Sequence, residues 1–137
     1  ARIKICLKLD SNPTLIGNKI KFHQLIANLI SNAIESYNDL PLERTNRLLE
    51  IRLQTNQSHL LLEIQDQGCG IKPEHLPHIF KPFYTTKSPD LGTGMGLTMC
   101  QETIQNYFGG EISVESIPDQ GSLFRIILPL EIEKQKI

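Results

Sequence analysis

The sequence predicts an α+β domain in which a mixed sheet carries helices on one face. Runs of strict apolar–polar alternation occur near the start, in the middle and near the end of the chain. Two stretches of helical periodicity separate them. The order is strand, helix, two strands, a loop region, helix, two strands, without the regular alternation of a doubly wound parallel sheet.

The first strand is Ile3, Ile5, Leu7 and Leu9 alternating with polar neighbours, a period of two that predicts a half-buried strand. Asp10-Ser11-Asn12-Pro13 breaks it with turn chemistry. Phe22, Leu25, Ile26, Leu29, Ile30, Ala33, Ile34 and Tyr37 then follow the spacing of one helix face. Asn38-Asp39 and Pro41 stop that helix, and 38–46 reads as a polar loop. Leu49, Ile51 and Leu53, then Leu60, Leu62 and Ile64, form two alternating runs around Asn56-Gln57-Ser58, the pattern of an antiparallel hairpin. Pro73 to Phe80 reads as a short helix with proline at its first position. Lys81 to Gly96 is rich in Gly, Thr and Pro and too long for a turn, so it reads as a functional loop. Leu97, Cys100, Ile104 and Phe108 mark a second helix, ended by Gly109-Gly110. Ile112 and Val114 lie on one strand, Ser122 to Leu128 on the next, with Ser116 to Gly121 as the turn.

At 137 residues the chain has the length of one domain, read as 1–130 followed by a charged tail at 131–137. Lys and Arg number 14 against 15 Asp and Glu, which argues against a general nucleic-acid binder or a polybasic membrane binder. No apolar run approaches the ~18 residues of a membrane span, and no direct membrane contact is expected. Cys6, Cys69 and Cys100 are odd in number and far apart, so a disulfide framework is not expected and a reducing cytosol fits. The chain opens at Ala1 within strand-like sequence, without an initiator Met, and reads as a piece of a longer protein.

Asp66 continues the parity of Leu60, Leu62 and Ile64 and so points to the buried face. A buried carboxylate needs a partner or a proton. A ligand donating an N–H, such as the amino group of adenine, would satisfy it; the alternative is a strand-end Asp turned into solvent. Gly68 and Gly70 follow at once, where a backbone can approach a ligand or simply make a tight turn. Gly92-Thr93-Gly94-Met95-Gly96 opens the Leu97 helix, either as an anion site of exposed N–H groups or as a loop capped into a helix. Its spacing fits neither the Walker phosphate loop nor a Rossmann fingerprint. Asn28 and Asn32 lie one turn apart at the edge of the first helix's apolar stripe, as oxygen ligands for a hard cation or as ordinary helix-edge residues. Phe80 and Phe83 are candidate anchors of a lid, and Lys87 a candidate phosphate contact. His23, His59, His75 and His78 make no metal or catalytic set.

Taken in order, Asn-x-x-x-Asn on a helix, Asp-x-Gly-x-Gly after a strand, a Phe-containing segment and Gly-x-Gly-x-Gly opening a helix resemble the catalytic and ATP-binding domain of two-component sensor histidine kinases. That domain shares its superfamily with DNA gyrase, heat-shock chaperone and mismatch-repair ATPases. The resemblance runs from about Ile3 to Leu130 and implies the Bergerat-type two-layer α/β sandwich: a mixed, mostly antiparallel sheet under helices, with a mobile ATP lid. It implies ATP and Mg2+ as cofactors. Asn28 and Asn32, in NLISNA, match the asparagine box, with Asn32 the magnesium ligand. Asp66 matches the aspartate that binds the adenine amino group, and Gly68 and Gly70 match the first glycine box, beside Ile71. Phe80 and Phe83 match the phenylalanine box, followed by Thr86 and Lys87. Gly92, Thr93, Gly94, Met95, Gly96 and Leu97 match the second glycine box at the phosphates. Gly121, in GSLFRIILP, resembles the last glycine turn.

Glu35 stands where many histidine kinases carry Lys, and with Phe-Tyr-Thr-Thr-Lys and Gly-Thr-Gly-Met-Gly-Leu it resembles the nitrogen-regulatory subgroup. Lys87 is then the substitute phosphate contact. Gyrase and chaperone relatives place a Glu base where this chain has Asn28, and Asn cannot abstract a proton. The expected chemistry is ATP bound but hydrolysed slowly, with catalysis by positioning and charge neutralisation. The implied partners are an upstream dimerisation and histidine phosphoacceptor domain and a response-regulator receiver domain. The implied location is cytoplasmic, with the domain itself a monomer. An anti-sigma-factor-type serine kinase and a non-catalytic nucleotide-binding module share the fold and stand as alternatives.

Overall fold

The computed structural model describes residues 4–9, 18–37, 48–82 and 96–130. Helix α1 (Lys19–Glu35) begins where Asn18 turns its side chain onto the Lys21 N–H at 3.0 Å, satisfying one of the donors a helix start leaves bare. Its apolar stripe buries Leu25, Leu29 and Ala33. Helix α2 (Gly96–Tyr107) buries Thr98, Cys100 and Ile104. The two helices pack together, joined by an edge-to-face contact of Phe22 with Phe108 at 5.9 Å and by Lys21 over the Tyr107 ring.

Beneath them lies a five-stranded sheet in the order β1-β2-β3-β5-β4. The strands are β1 (Lys4–Leu9), β2 (Leu48–Thr55), β3 (His59–Asp66), β4 (Glu111–Ile117) and β5 (Gly121–Pro129). Among the described residues only β1 and β2 run parallel; the other pairs are antiparallel. The sheet is therefore mixed and mostly antiparallel, as the sequence predicts. The β2–β3 hairpin turns at Asn56, whose side chain accepts from the N–H groups of Ser58 and His59. Parity decides the faces: Leu60, Leu62 and Ile64 of β3 and Phe124, Ile126 and Leu128 of β5 are buried under the helices.

The opposite face carries an ion-pair ladder. Glu63 takes Arg52 at 3.1 Å and Arg125 at 2.9 Å, while Arg52 also reaches Glu50 and Arg125 reaches Glu115. Burial by itself would raise the Glu63 pKa, but the hydrogen bonds from Arg125 and Arg52 outweigh it and hold the carboxyl below its ordinary value.

Two expectations change. The Ile5, Leu7 and Leu9 face of β1 is not half-buried; these side chains are 51%, 60% and 60% exposed. The strand is the sheet edge, and the helices pack chiefly on β3 and β4, out of its reach among the described residues. Pro73 to Phe80 is not one helix but a turn followed by a single 3-10 turn, Leu76–His78, with Pro77 near its start. A proline one turn in withholds the N–H that a continuing α-helix would use. The loop at 38–46, the segment 83–95 and the tail at 131–137 lie outside the described residues.

Candidate functional site

The site is built where β3 ends. Asp66 is the last residue of that strand and is 3% exposed, on the face its parity assigns. Its Oδ1 accepts from the Gly68 N–H at 2.9 Å and the Ser122 N–H at 3.3 Å. Burial pushes the carboxyl pKa up, and the bonds from Gly68, Ser122 and the Ser36 side chain pull it only partly back. Burial thus makes the ionised carboxylate costly at the end of this central strand, a cost that a further hydrogen-bond donor would offset.

The loop 67–71 after Asp66 is clamped by its neighbours. Gly70 has φ +71° and leaves no room for a Cβ against the Ile117 carbonyl. From the β4–β5 turn, Gly121 at φ +126° presses on the Asp66 carbonyl in the same way. Ser116 Oγ accepts from the Ile71 N–H at 2.7 Å and donates to the Gly121 carbonyl at 2.9 Å. On the other side, the Ser36 carbonyl at the C-cap of α1 accepts from the Cys69 N–H at 3.1 Å.

That docking sets the C-terminal end of α1, the helix that carries Asn28 and Asn32, against the loop after Asp66. Both are half-buried, one turn apart on α1, and Asn32 lies one turn before Ser36. Carboxamide oxygens suit a hard cation beside phosphates. Among the described residues, no group of His, Cys, Asp and Glu is placed to hold a metal ion. His78 Nδ1 lies 2.8 Å from Lys81 Nζ, and His59 Nδ1 lies 2.7 Å from Ser58 Oγ.

Phe80 is partly buried against the core, and its carbonyl accepts from Thr98 Oγ1 at 2.9 Å, tying this segment to the first turn of α2. Gly96 opens α2, and a Cβ there would meet open space. Ile71 and Leu97 are partly buried against the core. Phe83, Thr86, Lys87, Gly92, Thr93, Gly94 and Met95 lie outside the described residues. Sequence reading missed Ser36, Tyr37 as a polar group, Ser116 and Ser122. Their signal was faint: hydroxyls beside glycine turns and at a helix end resemble ordinary turn residues.

A mixed sheet under two helices, with a strand-end carboxylate caged by backbone donors beside an asparagine-bearing helix, defines the two-layer α/β class that the sequence motifs imply. The chain belongs to the histidine kinase-, DNA gyrase B- and HSP90-like ATPase family, whose profile matches residues 17–132. It is 34% identical to the sensor protein TorS of Escherichia coli over 96% of this chain and 14% of that protein. It is also 34% identical to sporulation kinase C of Bacillus subtilis over 84% of this chain and 25% of that protein. The chain thus spans a quarter or less of the length of these relatives. Among solved structures, the catalytic domain of histidine kinase ThkA superposes with TM-score 0.76 at 27% identity, covering 93% of this chain and 80% of that one. The mycobacterial sensor histidine kinase MprB shares the fold, with TM-score 0.77 at 23% identity over 94% of this chain and 83% of that one.

Proposed function

We propose that this chain is the ATP-binding catalytic domain of a sensor histidine kinase. The observation that carries the reading is Asp66, a buried carboxylate held at the strand end by two backbone N–H groups, beside Ser36 at the C-terminal end of α1, the helix that bears Asn28 and Asn32. Asp66 accepts the exocyclic amine of adenine. Gly68, Gly70 and Ile71 line the base. The N–H groups at the start of α2, around Gly96 and Leu97, meet the phosphates, where an open α-carbon lets a ligand approach. Phe83, Thr86, Lys87 and Gly92 to Met95 belong to the same reading from sequence alone. Asn32, aided by Asn28, holds Mg2+, which neutralises phosphate charge when bound.

The transfer moves the γ-phosphoryl group to a histidine imidazole supplied by a dimerisation and phosphoacceptor domain. A P–N bond forms, the bond between the γ-phosphorus and the β,γ-bridging oxygen breaks, and ADP leaves with the electron pair. The phosphoryl group then passes to a response-regulator receiver domain. No helix among the described residues is long and apolar enough to cross a membrane. The need for ATP places this domain on the cytoplasmic side.

The test uses the full parent chain, γ-labelled ATP and magnesium. Acid-labile, base-stable label on the protein supports the reading. Acid-stable label favours a serine kinase of the anti-sigma-factor type, and ATP binding without label favours a regulatory nucleotide-binding module.

A further inference from the structure

We propose that Tyr37 is a positioning residue for Asp66: its hydroxyl replaces one rung of the β2–β3 ladder and so sets the backbone that aims the carboxylate. The inference rests on the reading of Asp66 as the adenine-recognising group.

Strands β2 and β3 pair antiparallel, and the last matched pair is Leu49 with Asp66. One step further, the register sets Leu48 opposite Gln67. There the Tyr37 hydroxyl stands between the two. It donates to the Leu48 carbonyl at 2.5 Å and accepts from the Gln67 N–H at 2.7 Å. One oxygen atom thus parts the strands at the point where Asp66 leaves the sheet, and both backbone groups stay satisfied.

The Gln67 nitrogen belongs to the peptide that follows Asp66. Tyr37 fixes the N–H side of that peptide, and the Gly121 α-carbon packs on its carbonyl side. A peptide gripped on both faces fixes the Cα–Cβ direction of Asp66 and hence its carboxylate. Tyr37 itself is 1% exposed and directly follows Ser36, whose carbonyl holds the Cys69 N–H. The C-terminal end of α1 therefore grips the loop at Gln67 and at Cys69. Since α1 carries Asn28 and Asn32, this joint also fixes the base-reading group relative to the asparagines. A hydroxyl that donates and accepts at once is what the gap requires. Phenylalanine fills the same volume but either leaves both groups bare or lets the strands close on each other, and each result moves Asp66.

The test compares affinities for adenosine diphosphate and inosine diphosphate, by calorimetry, in the wild-type chain and in Tyr37→Phe. Inosine carries a carbonyl where adenine carries the amine, so it lacks the exocyclic N–H that Asp66 accepts from in this reading. The expected result is a loss of about tenfold for the adenine nucleotide with little change for inosine, so that the preference between them collapses. A proportional loss for both, or an unchanged preference with only lower thermal stability, overturns the positioning role. A wild-type chain that binds both equally would overturn the adenine reading of Asp66 as well. A measurement on the wild-type chain alone stands beside this. The Gln67 amide, although beyond the ladder, should exchange with solvent as slowly as its β3 neighbours; rapid exchange would count against the Tyr37 bond.

Discussion

Asp66→Asn should separate stability from binding. The substitution keeps Oδ1, so the bonds from the Gly68 and Ser122 N–H groups survive. It removes a charge buried at 3% exposure, whose pKa burial raises. The sign follows from linkage. With a raised folded pKa, the folded chain holds this proton more tightly than the unfolded chain. The contribution of Asp66 to stability is therefore greatest below its ordinary value and is lost as pH rises through the folded pKa. At about pH 7 the charged carboxylate is a cost, and the neutral amide relieves something on the order of 1 kcal/mol. For a domain of this size that is a rise of roughly 3–5 °C in midpoint. Binding moves the other way. If Asp66 accepts from the adenine amine as proposed, a charge-assisted hydrogen bond is lost and the new amide can turn a donor toward a donor, a loss of about 2–3 kcal/mol or roughly 30- to 150-fold in affinity. Thermal unfolding without nucleotide, paired with titration calorimetry of adenosine diphosphate, measures both. A variant that is less stable than wild type yet binds as tightly would refute the reasoning on both counts.

Two further outcomes test the body of the fold. Because the arginines hold the Glu63 pKa below its ordinary value, its stabilisation is present above the ordinary glutamate range and is lost as pH falls through the lowered folded pKa. Glu63→Gln should therefore cost about 1–2 kcal/mol near neutrality. In urea unfolding that gap should shrink between about pH 7 and about pH 3; a gap of constant size would show that the charge is not its source. Cys100 is fully buried against the α1 backbone, and burial pushes its thiol up to about 12. Native-state labelling with a disulfide reagent should spare Cys100 until the chain unfolds, while the half-buried Cys6 and Cys69 react first. Labelling of Cys100 at the rate of Cys69 would contradict the packing described.

Much of this protein was legible in its sequence because period and parity are local properties. The apolar spacing from Phe22 onward specified α1, and the alternation around Asn56 specified the β2–β3 hairpin and its two faces. The same parity placed Asp66 inward before any fold was known, since a strand's faces repeat every two residues whatever it packs against. The ordered motifs pointed to the family, because those residue types at those spacings are rare together. The burial of β1 was not legible. Its alternation is as clean as that of β3, but whether an apolar face is covered depends on where the helices land, and they land over β3 and β4, away from the β1 edge. Nor could the sequence show what holds Asp66. Gly68 is its neighbour, but Ser122 lies 56 residues away, and Tyr37 lies 30 residues from the peptide it fixes. Those partners meet only because β5 inserts between β3 and β4 and because α1 ends against the loop after β3. The sequence by itself determined the two long helices, the strands, their faces and the chemical groups available; the tertiary structure decided which hydroxyls and N–H groups surround the carboxylate, since hydrogen bonds between distant segments exist only once packing brings them together.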